Sequence, residues 1–216
     1  SGEHNTDLKS ALGKIEGVNV QIIEGGDFCL PDLAKRPWLE LDPEIGGVLL
    51  DLGIHAVAPL VTTGLLTSAA SVHHVGLAKL SSDRSSLVPI SPAMNEVELY
   101  VSALLTDGNI PIQLNVGKVP FNGGTWTLGI RGENAMFYAG LRSEKTSVLV
   151  AHSGKVTQLI LTESPYAMVI EEALMYFRND LPGFDGNIST FFQAREVLRR
   201  LKRFYLHQHN RIAGFV

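Results

Sequence analysis

The stretch Glu44-Ile-Gly-Gly-Val-Leu-Leu-Asp51-Leu-Gly-Ile-His55-Ala-Val-Ala-Pro59-Leu-Val-Thr-Thr-Gly64 decides how the rest of this 216-residue chain is read. Between Val48 and Val61 only Asp51 and His55 can carry charge. The other residues there are apolar, Gly or Pro and wrap nearly all the way round a helix, which predicts a buried one. Asp42 is placed as its cap, Pro43 as a first-turn proline and Gly64 as its stop. Asp51 and His55 are four apart, so they share a helical face, roughly 6 Å apart along the axis. Buried without partners, such groups would cost several kcal/mol. Either they satisfy each other or they look into a polar cleft. Pro59 cannot donate to the His55 carbonyl and crowds it, which predicts a kink beside the pair. A structural His–Asp pair in a core and half of a zinc site are the other readings of the same spacing; no third ligand stands at a telling distance along the chain.

Composition bounds the rest. The chain is 45% hydrophobic and 19% charged, as expected of a globular protein with a substantial core. Its 18 basic and 22 acidic residues give a net charge of -4, which offers no electrostatic case for nucleic acid. The basic run from Arg195 to Arg203 has apolar residues between its charges and reads as a solvated helix face. One cysteine, Cys29, excludes an internal disulfide and fits a reducing, cytoplasmic setting. No apolar run is long enough for a membrane span, and no signal-peptide pattern opens the sequence. The chain begins Ser-Gly-Glu-His-Asn-Thr-Asp without methionine and runs almost at once into a helix. A piece of a longer protein is the expectation.

Outward from the central stretch, residues 8–14 form a short helix capped by Asn5-Thr6-Asp7 and ended by Gly17, and 18–23 form a strand. Residues 27–43, with Pro31, Pro37 and Arg36-Pro37-Trp38, read as loop. Strands are expected at 69–80, 95–105, 110–119, 125–131, 135–141, 146–152 and 155–161. They are joined by turn signals at Asp107-Gly-Asn, Asn122-Gly-Gly, Gly132-Glu-Asn and Ser153-Gly, and such short links predict antiparallel neighbours. Residues 81–93 read as a polar loop. Two helices close the chain, from Ser164-Pro165 to about Arg178 and from Ile188 to His207; the second has Phe191, Ala194, Leu198, Leu201 and Tyr205 buried. The fold class is therefore α+β, a large, mostly antiparallel open-faced sheet with helices packed on one face. The other face stays bare and predicts a partner, a second copy of the chain.

Several motifs are missing: the Gly-x-Gly-x-x-Gly dinucleotide fingerprint, the Walker loop and the Gly-x-Ser-x-Gly elbow. Trp38 reads as a packing lid or a substrate platform. His73 and His74 sit mid-strand, which sends their rings to opposite faces; both are kept as substrate-contact candidates. Lys118 and Arg131 fall in or at the ends of strands.

Leu41-Asp-Pro-Glu-Ile-Gly46-Gly47-Val-Leu49-Leu-Asp51-Leu-Gly53-Ile-His55, with Trp38 before it, resembles the signature of the Gfo/Idh/MocA oxidoreductases, the glucose–fructose oxidoreductase and inositol dehydrogenase group. Val48 departs from that pattern at its third glycine. Looser matches are Gly13-Lys-Ile, Ile130-Arg-Gly132-Glu and the aromatics Tyr166 and Phe177. Members of that family carry an N-terminal Rossmann domain that binds NAD or NADP and ends near a Glu-Lys-Pro motif with a catalytic lysine. Neither motif occurs here. The resemblance therefore implies that residues 1–216 are one domain, the C-terminal substrate-binding half, with NAD or NADP held by the absent domain and none by this chain. It implies that His55 exchanges a proton with a hydroxyl or carbonyl of a sugar, polyol or similar small molecule as hydride is transferred, with Asp51 orienting it. Alternatives within the fold are a non-catalytic sugar-binding or oligomerisation module, and a metal-dependent enzyme built on Asp51 and His55.

Overall fold

Val18, Val20 and Ile22 alternate with Asn19 and Gln21, and that period of two makes the strand at the middle of the sheet apolar on one side and polar on the other. The computed structural model describes residues 8–42, 46–90, 96–141, 146–160 and 185–213. Its strands are β1 (Ile15–Glu24), β2 (Ser71–Leu80), β3 (Leu87–Pro89), β4 (Tyr100–Asp107), β5 (Ile110–Lys118), β6 (Thr125–Gly132), β7 (Ala135–Gly140), β8 (Thr146–Ala151) and β9 (Val156–Ile160). They form one sheet in the order β3-β2-β4-β5-β1-β6-β7-β8-β9. Among the described residues only β1 and β5 run parallel; every other neighbouring pair is antiparallel. The helices are α1 (Leu8–Leu12), α2 (Gly26–Lys35), α3 (Trp38–Leu41), α4 (Val48–Asp51), α5 (Gly53–Thr62) and α6 (Asp185–Ala213).

The core lies between the sheet and these helices. Val18, Val20, Ile22, Ile112, Leu114, Val116, Val101 and Leu105 come from the sheet; Ala56, Val57 and Leu60 of α5 and Ala194, Val197, Leu198 and Leu201 of α6 close over them. The opposite sheet face carries Asn19, Gln21, Gln113 and Asn115, with Leu104 and Tyr138 each more than two-fifths exposed. The expected large, mostly antiparallel sheet is therefore present, with helices on one face and the polar face uncovered among the described residues. No described helix is long and apolar enough to cross a membrane.

Several local expectations change. Residues 26–35 and 38–41 are helical rather than loop, because Gly26, Cys29 and Leu33 recur at helical spacing and are buried despite Pro31. α1 stops at Gly13, whose φ is 70°, and Gly17 lies inside β1. The polar loop holds a short edge strand, β3. The Asn122-Gly-Gly link is not a hairpin. β1 inserts between β5 and β6, so the link wraps over its end, with Val119 N–H on the Glu24 carbonyl (2.9 Å) and Gly26 N–H on the Phe121 carbonyl (2.7 Å). In α6, Phe191 is 51% exposed and Val197 is buried in its place, since the buried stripe begins one turn later at Ala194. Arg200 and Lys202 are not merely solvated: Arg200 donates to the Ser68 and Ala70 carbonyls, and Lys202 lies 3.6 Å from Glu98. The helix expected over 164–178 lies outside the described residues.

Candidate functional site

The signature stretch opens at Gly47, not at Asp42, which ends α3 instead. Gly47 has a φ of 93°, a conformation that disfavours any side chain, and a Cβ there would stand 2.3 Å from Glu98 Oε1. The Glu98 backbone carbonyl accepts the first helical N–H, from Val48 (3.0 Å). Glu98 itself is 1% exposed, and burial raises its pKa above the usual 4.5. The break in the helix falls at Leu52 rather than at Pro59. There His55 N–H bonds the Leu52 carbonyl (3.1 Å), a tightened turn, and α5 continues through Pro59. Gly53 lies where α6 crosses; a Cβ on it would come 2.9 Å from Leu198 Cδ2. These contacts fix the rotation of the segment that carries Asp51 and His55.

Asp51 does not pair with His55. Its carboxylate accepts from Arg36 Nη1 (2.8 Å) and Nη2 (3.4 Å) and lies 3.3 Å from Lys118 Nζ. Lys118 closes β5 directly beside Glu24, which closes β1. It is fully buried and donates to Glu24 Oε2 and to Asp32 Oδ2 (2.9 Å). Arg36 also grips Asp32, through Nε at 2.9 Å and through Nη2. A network of three carboxylates and two cations thus sits at the carboxyl ends of the parallel strand pair β1 and β5. Burial works against the Lys118 ammonium, but the hydrogen bonds it donates to Glu24 and Asp32 outweigh that and hold its pKa above 10.5. Burial also works against the Asp32 carboxylate, and the hydrogen bonds from Arg36 and Lys118 bring its pKa below 3.8. Arg36, hydrogen-bonded first to Asp32 and then to Asp51, is held more firmly charged than usual.

His55 is exposed and packs its ring against Trp126 of β6, with centroids 5.5 Å apart and planes tilted by 47°. Trp126 in turn lines a cleft of about 220 Å³ with Glu24, Asp27, Phe28 and Thr125, closed by the backbone of Gly25 and Gly123–Gly124. The link that wraps over β1 builds this cleft. One wall is Glu24, the rim of the charged network; the other is the indole that carries His55. Trp38 is 41% exposed, with the Arg36 guanidinium carbon 5.9 Å from its ring centroid, and so joins the network through Arg36.

The structure therefore brings Asp51, His55 and Trp38 into one neighbourhood through Arg36, Lys118 and Trp126. His73 and His74 lie elsewhere. A β-bulge between Val72 and His74 lets both stand opposite the β4 positions of the bare face: His74 pairs with Leu104, and His73 Nε2 meets Thr106 Oγ1 at 2.8 Å. Both are exposed on that side, not on opposite faces as strict alternation implies. Glu24, Asp32, Arg36, Lys118 and Trp126 were not singled out as site residues by sequence reasoning. A signal existed for two of them: Glu24 and Lys118 continue the core-facing alternation of Val20–Ile22 and Leu114–Val116. Among the described residues, no group of three or more His, Cys, Asp or Glu is placed to hold a metal ion.

No family model matches the sequence, and no curated protein matches it. Solved structures do resemble it. KijD10, a 3-ketoreductase from Actinomadura kijaniata, in complex with TDP-benzene and NADP in an open conformation, is 18% identical and aligns over 87% of this chain and 52% of its own, with a TM-score of 0.56. The same enzyme with NADP is 16% identical over 90% of this chain and 51% of its own, with a TM-score of 0.55. The dehydrogenase MviM from Clostridium difficile is 11% identical over 91% of this chain and 57% of its own, with a TM-score of 0.60. The chain spans about half the length of these structures. At such identities the likeness establishes a shared fold alone.

Proposed function

We propose that this chain is the substrate-binding and catalytic half of an NAD(P)-dependent oxidoreductase acting on a sugar, polyol or similar hydroxylated small molecule. The observation that carries the reading is the exposed His55 imidazole, set on Trp126 beside a cleft, with the charged network holding Asp51 one turn away. Support comes from the fold shared with a 3-ketoreductase solved with NADP and with a dehydrogenase.

A dinucleotide fits this chain poorly. Gly25-Gly26 does join a strand to a helix, but Asp27 and Glu24 stand at that helix N-terminus, where a pyrophosphate would need open amides and no carboxylate. The nucleotide is therefore assigned to an upstream domain, which would supply the hydride acceptor or donor. This chain supplies the proton chemistry. His55 takes a proton from a substrate hydroxyl, or returns one to a carbonyl, at its exposed ring, the acid–base role for which a histidine side chain is suited. Asp51, held by Arg36 and Lys118, fixes the helical turn and supplies a negative field below the ring without bonding it. Trp126 excludes water from one side of the imidazole and offers an apolar wall for the carbon skeleton.

The test is His55→Ala in a chain that includes its upstream domain. Turnover falls at least about a hundredfold with little change in KM if His55 moves the proton; turnover within a few-fold of the parent refutes the role. The bare sheet face is assigned to self-association. Leu104→Glu then gives a monomer by light scattering where the parent is an oligomer, and a monomeric parent at high concentration removes that part of the reading.

A further inference from the structure

The cleft between Glu24 and Trp126 has a charge balance that selects among hydroxylated ligands. Four carboxylates surround it or back it, those of Glu24, Asp27, Asp32 and Asp51, against the two cations Arg36 and Lys118. Both cations are spent. Lys118 is fully buried behind Glu24, and every guanidinium nitrogen of Arg36 is directed at Asp32 or Asp51. The two residues that carry negative charge to the cleft itself are Glu24 and Asp27. Glu24 is 6% exposed and lines the cleft, and its Oε2 accepts from Lys118. The α2 N-terminus adds roughly half a positive charge, less than the two carboxylates beside it. The Trp126 indole and Phe28 also line the cleft and supply aromatic surface, and Thr125 a hydroxyl.

We propose that this cleft seats a neutral or amine-bearing polyol, an amino sugar fitting it best, and that Glu24 and Asp27 turn away sugars bearing a carboxylate or phosphate. An ammonium or hydroxyl donates to the carboxylates of Glu24 and Asp27, and the apolar face of the ring lies on Trp126, as aromatic faces accept carbon-bound and cationic groups. An anionic substituent placed there meets two carboxylates and, among the described residues that line the cleft, no cation. The inference rests on the reading of this region as the substrate pocket and adds the charge class of the substrate to it.

The experiment is calorimetric titration of the 216-residue chain with glucosamine, glucose, glucuronate and glucose 6-phosphate at equal ionic strength and about pH 6.5, where the amine is protonated. Glucosamine is expected to bind about fivefold tighter than glucose, and the two anions about fivefold weaker, the scale of one screened charge contact. Asp27→Asn, a change at an exposed residue, narrows the glucosamine-to-glucose ratio while its unfolding midpoint stays near the parent's. Glucuronate or glucose 6-phosphate binding as well as glucose overturns the proposal, as does an unchanged ratio in Asp27→Asn or the failure of all four to bind. None of these results touches the oxidoreductase reading, which is decided by turnover of the His55 variant.

Discussion

Replacing Lys118 by methionine tests the charged network most severely. The substitution keeps the length and apolar stem of the side chain but removes the ammonium, so packing is nearly conserved and charge is not. Glu24, Asp32 and Asp51 would then face one another with Arg36 alone to answer them. Lys118 is fully buried, Asp51 14% and Asp32 17% exposed, so solvent screens these contacts little. Removing one partner of a buried ion pair costs about 3–5 kcal/mol, and for a chain of this size that corresponds to a drop in Tm of roughly 6–20 °C. Urea unfolding followed by Trp fluorescence measures the loss. Because the penalty is one of unpaired charge, Lys118→Met combined with Glu24→Gln recovers a substantial part of it. A loss below about 1 kcal/mol, the range of exposed pairs, or a double variant no better than the single one refutes the reasoning. The pH dependence follows from the same contacts. Asp32 has a lowered pKa, so its contribution is present above pH 3.8 and is lost as the pH falls through the folded-state value; Lys118 has a raised one, so its contribution is complete below pH 10.5 and is lost as the pH rises through its folded-state value. In Lys118→Met the acid limb moves to higher pH, because Asp32 has lost a donor.

Gly47→Ala combines a φ of 93° with a clash on Glu98 and is expected to cost about 1–3 kcal/mol in urea unfolding; a neutral result would mean that the turn relaxes freely. Glu98→Gln removes a buried carboxylate whose Oε1 has no hydrogen-bond partner among the described residues. Its raised pKa makes the charge a burden only above the folded-state value, so the variant gains stability relative to the parent at pH 8 compared with pH 4; a difference independent of pH contradicts this. Cys29 is buried, donates to the Val119 carbonyl (3.1 Å) and has its thiol pKa pushed up to about 11 by burial. A thiol reagent at pH 8 therefore labels it at the rate of unfolding, and labelling within seconds in the native state refutes the assignment.

The central helix, the strand run and the one-sided sheet were legible because each rests on a strong period. The alternation in β1, β4 and β5 follows directly from apolar residues two apart, and Asp107-Gly-Asn gives its two-residue hairpin with Gly108 at a φ of 57°. The place of β1 was not legible: nothing local in Val18–Ile22 says that it slips between β5 and β6, and a link as short as 119–124 normally joins neighbours. α2 was hidden by Pro31, which argues against a helix more loudly than Cys29 and Leu33 argue for one. At the site, the Asp51–His55 spacing was visible, but the partner of Asp51 was not. Spacing four along a helix says that two side chains share a face; it does not say that they bond, and Arg36 and Lys118 arrive from 15 and 67 positions away. Lys118 reads in the sequence as a strand residue, but its register places it on the core-facing side of β5, and a buried ammonium obliges acids to gather round it.

The most direct measurement is an NMR titration of the chain with glucose, following the His55 ring protons and the Trp126 indole N–H. Both signals are expected to shift together and saturate with one dissociation constant, and the His55 shift vanishes in Trp126→Ala while binding weakens. Signals from His55 and Trp126 that stay fixed while glucose saturates the protein elsewhere contradict the claim that this helical turn borders the substrate pocket.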